Sequence, residues 1–249
     1  MIELVDFSKK YRKSDSPVVQ NINLKAESGM VTALLGLNGQ GKTTIIKAVS
    51  GIHYASSGKV YVSSANEKFD LSENPDPAKK HLGYMPETAT LPENLTVKEF
   101  LHFARKIYAP DSGESGAVQS VIKACELEDV QDKKIKALSK GFRQRVNLAQ
   151  ALVHSPENII LDEPVNGLDP AQIIQFRKII KKIAEDKTVL LSTHLMQEVS
   201  ALCNRLYILN GSTIAFSGTK SELLEKTHRN TLEEAFLALT EKQTEEASL

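Results

Sequence analysis

Long apolar runs are missing from this 249-residue chain: no stretch reaches the roughly 20 consecutive apolar residues that cross a bilayer. The opening residues, Met1-Ile2-Glu3-Leu4-Val5-Asp6, lack the basic and apolar regions of a secretion signal. The expectation is a cytoplasmic chain that another protein must hold if it acts at a membrane. Cysteine is equally scarce. Cys125 and Cys203 are too few and too far apart for a disulfide framework or a zinc cluster, and read as ordinary thiols in a reducing compartment. Net charge is absent as well, because 31 basic and 31 acidic residues cancel. That removes long-range attraction for nucleic acid or anionic lipid, so no nucleic-acid partner is expected. What the chain does have is 41% hydrophobic residues, enough at this length to bury a core in one or two domains.

The apolar pattern alternates between two periods. Ile2, Leu4 and Phe7 read as a half-buried strand, interrupted by Ser14-Asp15-Ser16-Pro17 and resumed over 18–24. Glu27-Ser28-Gly29 is a turn, and 31–35 is a short apolar run of the kind covered on both faces. A helix over 43–50 follows, with Gly51 placed to end it. From about residue 91 the character turns helical. Thr96-Val97-Lys98-Glu99 is a capping box before Phe100, Leu101, Phe103, Ala104 and Ile107. A polar linker over 111–116 precedes helices over 118–126 and 139–154. Strand 159–161 then returns to the earlier pattern. Asp169-Pro170 opens a helix carrying Ile173, Ile174, Ile179, Ile180 and Ile183, and 189–191 is another strand. Asn210-Gly211 marks a hairpin between 205–209 and 213–216. Thr231-Leu232-Glu233-Glu234 caps a last short helix before a polar tail, 241–249. No internal repeat is visible.

Two motifs carry chemistry by their residues alone. Gly36-Leu37-Asn38-Gly39-Gln40-Gly41-Lys42-Thr43 fits the phosphate loop G-x-x-x-x-G-K-[ST], between a strand and a helix as that loop requires. Backbone N–H groups around Gly36, Asn38, Gly39, Gly41 and Thr44 face phosphates, helped by the positive end of the following helix. Lys42 reaches the β- and γ-phosphates, and Thr43 offers a hydroxyl to Mg²⁺. Asp162-Glu163 closes the apolar run Asn158-Ile159-Ile160-Leu161. Alone, such a pair would serve equally well to start a loop. Beside a phosphate loop, Asp162 can hold the Mg²⁺ hydration shell and Glu163 can polarise an attacking water.

Leu138-Ser139-Lys140-Gly141-Phe142, followed by Arg143-Gln144-Arg145, resembles the signature of ATP-binding cassette (ABC) ATPases. The resemblance runs from about residue 2 to 240 and is nearest to ATPase subunits of bacterial gliding-motility, multidrug and sodium exporters. It implies an α/β fold: a P-loop NTPase core over about 1–87 and 156–220, with an N-terminal antiparallel β-subdomain. A helical subdomain over about 88–155 is inserted into it. It implies ATP and Mg²⁺ as ligands, with Tyr11 stacking on adenine. Ser139 and Gly141 would bind the γ-phosphate of ATP held by a second copy. Asn166-Gly167-Leu168-Asp169 would be the D-loop that meets the partner, and His194 the switch histidine that senses γ-phosphate. Glu163, His194 and Lys42 would form the catalytic set, with Thr43, Glu87 and Asp162 around the metal. The implied partners are an integral membrane permease and a second copy of the chain, the protein sitting on the inner face of the cell membrane.

Three positions depart from the family pattern. Lys140 replaces a usual glycine and Leu37 a common proline, both with little expected loss. Glu87, in Gly83-Tyr84-Met85-Pro86-Glu87, stands where glutamine is usual. It keeps an oxygen ligand, loses an amide donor and adds negative charge. A soluble ABC ATPase of cluster assembly and an ATP-gated scaffold remain alternatives. A small-molecule P-loop kinase would have no use for 138–142.

Overall fold

Two sheets share the strands of this protein, and each sheet obeys a different pairing rule. The computed structural model describes residues 1–11, 16–109 and 116–240. The expected linker at 111–115, Ser14-Asp15 and the tail from 241 lie outside the described residues. The first sheet is antiparallel, in the order β2-β1-β4-β5, with β1 Ile2–Lys9, β2 Val19–Ala26, β4 Ser57–Ser63 and β5 Lys68–Asp70. The second runs β10-β9-β3-β8-β7-β6. Its members are β3 Met30–Leu35, β6 Leu82–Met85, β7 Asn158–Asp162, β8 Thr188–Thr193, β9 Arg205–Asn210 and β10 Thr213–Gly218. All its pairs are parallel except β9–β10, the hairpin, in which Asn210 closes the strand and Gly211 enters the left-handed region at φ 57°.

The parallel sheet separates two layers of core because its side chains alternate. Leu34, Ile160 and Leu190 face one way and pack with Ile2, Leu4, Phe7, Ile22 and Leu24 of the antiparallel sheet. They also meet Ile45, Ile46 and Val49 of helix α1, Lys42–Val49. Ala33, Leu35, Ile159, Leu161, Val189 and Leu191 face the other way, onto a helical layer. That layer includes α3 Val97–Tyr108, α4 Ala117–Ala124, α5 Lys140–Leu152, α6 Pro170–Ala184 and α7 Met196–Leu202. Burial on both faces is why these strands read as unbroken apolar runs.

Helix ends follow their residues. Thr96 and Glu99 form the reciprocal cap of α3, and Asp169 and Gln172 that of α6, with Pro170 at its first position. Ser139 caps α5 by accepting from the Phe142 N–H at 3.4 Å. Gly51 ends α1 at φ 72°, with its N–H on the Ala48 carbonyl. Some elements escape the sequence pattern: β4, β5, α7 and the short helix α2, Pro75–Lys80. Each is too short or too locally polar for its period to register. Helix α8, Lys220–Thr227, carries a legible signal in Thr219 and Glu222, which cap it as Thr96 and Glu99 cap α3. Helix α9, Leu232–Thr240, closes the described chain. Among the described residues no helix is long and apolar enough to cross a membrane.

Candidate functional site

In a parallel sheet the carboxyl ends of neighbouring strands open onto one crevice, where ligands of such folds bind. Here β3 ends at Leu35 beside Thr193 of β8, Asp162 of β7 pairs with Ser192, and Met85 of β6 pairs with Leu161. The loops that leave these ends are the phosphate loop, the acidic pair, His194 and Glu87. Together they line a cleft of about 270 Å³ containing Asn38, Gly39, Gly41, Lys42, Thr43, Thr44, Glu87, Asp162, Glu163, Asn166 and His194.

The loop itself is shaped by glycine. Gly39 and Gly41 sit at φ 83° and 103°, conformations that a side chain resists, and a Cβ on Gly41 would fall 2.5 Å from Val19 Cγ1. Helix α1 starts at the next residue, so its first N–H groups and its dipole face the cleft. Lys42 is buried, and its ammonium donates to the Gly36 carbonyl at 2.7 Å and to that of Leu37 at 3.2 Å. Burial holds its pKa down, opposed by the nearby Glu163, Asp162 and Glu87. Gly36 thus lies beneath the cleft rather than on its lining.

Three carboxylates face that one lysine, so the cleft is net acidic and a polyanion is best received with a compensating cation. Asp162 is buried. Burial pushes its pKa up, and the Ser192 hydroxyl, donating to Asp162 Oδ1 at 2.5 Å, opposes that rise. Ser192 also receives the Glu163 N–H, at 3.3 Å on its hydroxyl and 3.1 Å on its carbonyl. Glu163 itself is buried at φ 45°, a left-handed conformation costing a non-glycine residue about 1–3 kcal/mol. Pro164 next to it disfavours the right-handed helical alternative. Glu163 Oε2 lies 2.9 Å from His194 Nδ1.

Mg²⁺ fits this donor set. Among the described residues no group of three or more His, Cys, Asp or Glu could cage a metal. Mg²⁺ needs no such cage, since it is usually held by one or two carboxylates together with substrate phosphates and water. Asp162, Glu87 and the exposed Thr43 offer hard oxygens on the same cleft.

Not every sequence candidate reaches the cleft. Tyr11 stands outside it, 37% exposed, with its hydroxyl 3.4 Å from Thr44 Oγ1 and its ring edge-on to His53 at 5.8 Å. Ser139 and Gly141 are also absent from the lining. Gly141 packs on α6, where a Cβ would meet the Gln172 side chain at 2.7 Å. Lys140 lies with its ammonium against Gly167. Ser192 had no role in the sequence expectations, and Asn166 was expected only in the D-loop that meets a partner. Ser192 ties Asp162 to Glu163, and Asn166 donates its amide to Glu87 Oε1 at 3.0 Å. A serine directly after the apolar run 189–191 was the local signal for the first.

The ABC transporter family model matches residues 19–166, a span that holds the phosphate loop, the signature and the acidic pair. This chain belongs to the ABC transporter family. It is 31% identical over 243 residues to the ABC transporter ATP-binding protein NatA of Bacillus subtilis, covering 96% of this chain and 97% of that one. It is 32% identical over 229 residues to the Nod factor export ATP-binding protein I of Burkholderia pseudomallei, covering 89% and 72%. A solved dimeric ATP-binding cassette in a post-hydrolysis state, bound to ADP and Pi, superposes with a TM-score of 0.76 at 25% identity. That match covers 88% of this chain and 98% of the other. The protein is therefore an ABC ATPase, an ATP-binding transporter subunit with the α/β P-loop fold of that family.

Proposed function

We propose that this ABC ATPase closes head-to-tail on a second copy around two ATP molecules and so powers a separate membrane permease, in the direction of export. One observation carries the dimer. The cleft gathers Lys42, Thr43, Asp162, Glu163 and His194, whereas Ser139 and Gly141 lie at the start of α5, outside it, Ser139 exposed and Gly141 buried. Residues that the signature resemblance assigns to γ-phosphate are thus left for another molecule's nucleotide. The dimeric relative with ADP and Pi supports the same arrangement.

In this mechanism Lys42 and the α1 N-terminus hold the β- and γ-phosphates and balance charge developing on the transferred group. Tyr11 packs on the adenine, which a cleft of this size leaves outside. Glu163 Oε2 accepts a proton from the attacking water while His194 Nδ1 holds the carboxylate in place. Thr43, Asp162 and Glu87 would hold Mg²⁺, which when bound neutralises phosphate charge. Loss of the γ-phosphate removes the contacts to Ser139 and Gly141 of the partner subunit, and the dimer opens.

The helical segment, about 88–155, and the chain after Glu87 then pass the motion to the permease. Support for that partner comes from the groove of about 560 Å³ bounded by the segment after α1, by α2 and by the ends of α3 and α5, lined in part by Ile52, Ile107 and Tyr108. Ile52 is 52% and Ile107 58% exposed, and clustered exposed apolar groups mark protein contacts. The protein then sits on the cytoplasmic face of the membrane through its partner. Likeness to a Nod factor export subunit supports the direction.

The test is to express Glu163→Gln in the native host, trap it with ATP and identify what co-purifies from detergent-solubilised membranes. A polytopic membrane protein in stoichiometric amount is expected. A monomer under saturating ATP, or soluble partners alone, would overturn the proposal.

A further inference from the structure

The position at which this chain departs most from its family has a partner that no motif assigns. Glu87 follows β6 as an exposed residue, and its backbone is steadied from α5, where the Asn147 amide donates to the Pro86 carbonyl at 3.0 Å. Its carboxylate lines the acidic side of the cleft, within electrostatic reach of Asp162, and the two like charges repel. Asn166 counters this. Its Nδ2 donates to Glu87 Oε1 at 3.0 Å, across 79 positions of sequence. A carboxylate only accepts, so the pairing also orients the asparagine amide. Among the described residues no other side chain donates to Glu87.

Asn166 is itself well placed to hold another group. Its N–H donates to the Glu163 carbonyl at 3.2 Å, so it stands one tight turn from the acidic pair. Gly167 after it takes φ 70°, with the Lys140 ammonium against it, and Asp169 caps α6 two residues further on. Both Asn166 and Glu87 line the cleft.

We propose that Asn166 is a positioning residue. It holds the Glu87 carboxylate at the cleft, so that this substituted position serves the divalent cation that accompanies the nucleotide. The proposal rests on the cleft's being the Mg²⁺–ATP site. A glutamine at 87 would bring its own donor and acceptor and place less charge beside Asp162. A glutamate gains more from a neighbour that donates and carries no charge.

The test is the affinity of the protein, without membranes, for a fluorescent ATP analogue, measured with Mn²⁺ and again with EDTA. Asn166→Ala is expected to weaken the Mn²⁺-dependent affinity about three- to tenfold, as for the net contribution of one ordinary hydrogen bond, and to leave the EDTA value unchanged. In a Glu87→Ala background the same change should have no further effect. Circular dichroism melts of each variant establish that it is folded. An equal loss in both media, a loss that persists in Glu87→Ala, or no loss at all would overturn the role of Asn166. Absence of nucleotide binding by the unmodified protein would instead overturn the site reading.

Discussion

Glu163 Oε2 and His194 Nδ1 lie 2.9 Å apart, joining the end of β7 to the end of β8 across the mouth of the cleft. The histidine ring is 40% exposed and the carboxylate side chain 10%. The contact therefore has one foot in solvent and one in the core, where it fixes the group nearest the acidic pair's strained backbone.

Removing that contact tests whether it positions the carboxylate. His194→Ala is expected to lower the turnover number for ATP about 10- to 100-fold, less than the full contribution of a general base. The Michaelis constant should change little, because Lys42 and the phosphate loop are untouched. Steady-state phosphate release separates the two quantities. An unchanged turnover number would leave His194 without a role in hydrolysis.

Asp162 gives a pH dependence with a definite sign. Burial raises its folded pKa above the value in the unfolded chain. The stability linked to it is therefore greatest below the ordinary carboxylate range and is lost as pH rises towards the folded value. At neutral pH the nucleotide-free protein carries the full cost of that buried charge. Asp162→Asn keeps an acceptor for Ser192 and removes the charge. It should raise the Tm at pH 7 by about 2–4 °C, as for roughly 1 kcal/mol in a domain of this size. The gain should shrink as pH falls towards the carboxylate range, while ATP hydrolysis is lost. Calorimetry across pH is the check, and a Tm lowered at pH 7 would contradict the assignment of a desolvation cost.

Arg177 of α6 meets Glu198 of α7 with Nη2–Oε1 at 2.6 Å and Nε within 3.2 Å of both carboxylate oxygens. Glu198 is 2% exposed. Arg177→Met strands that carboxylate and should cost about 3–5 kcal/mol, read as a lower urea midpoint. Replacing both residues with apolar ones should recover most of the loss, since no buried charge is then left alone. If the single and double variants fall equally, the pair contributes packing rather than charge compensation.

Much of this protein is decided within short windows of its sequence. Strand β3, the glycine loop and α1 are contiguous, so Gly36 to Thr43 announces a phosphate site before any tertiary contact is known. Thr96, Ser139 and Asp169 start their helices by bonding N–H groups three residues away, which is again local. The acidic pair and His194 are legible as candidates for the same reason. Their meeting is not, because it depends on Asp162 pairing with Ser192 and Leu35 with Thr193. Parallel registers are set by layers of apolar contact between distant segments, and no local pattern encodes them. That register made Ser192 the bridge between Asp162 and Glu163, and the fold brought Asn166 to Glu87. It also kept Ser139 and Gly141, at the start of α5, away from the cleft that the phosphate loop shares with Asp162, Glu163 and His194. Local chemistry named the parts, and long-range packing decided which of them share one cleft.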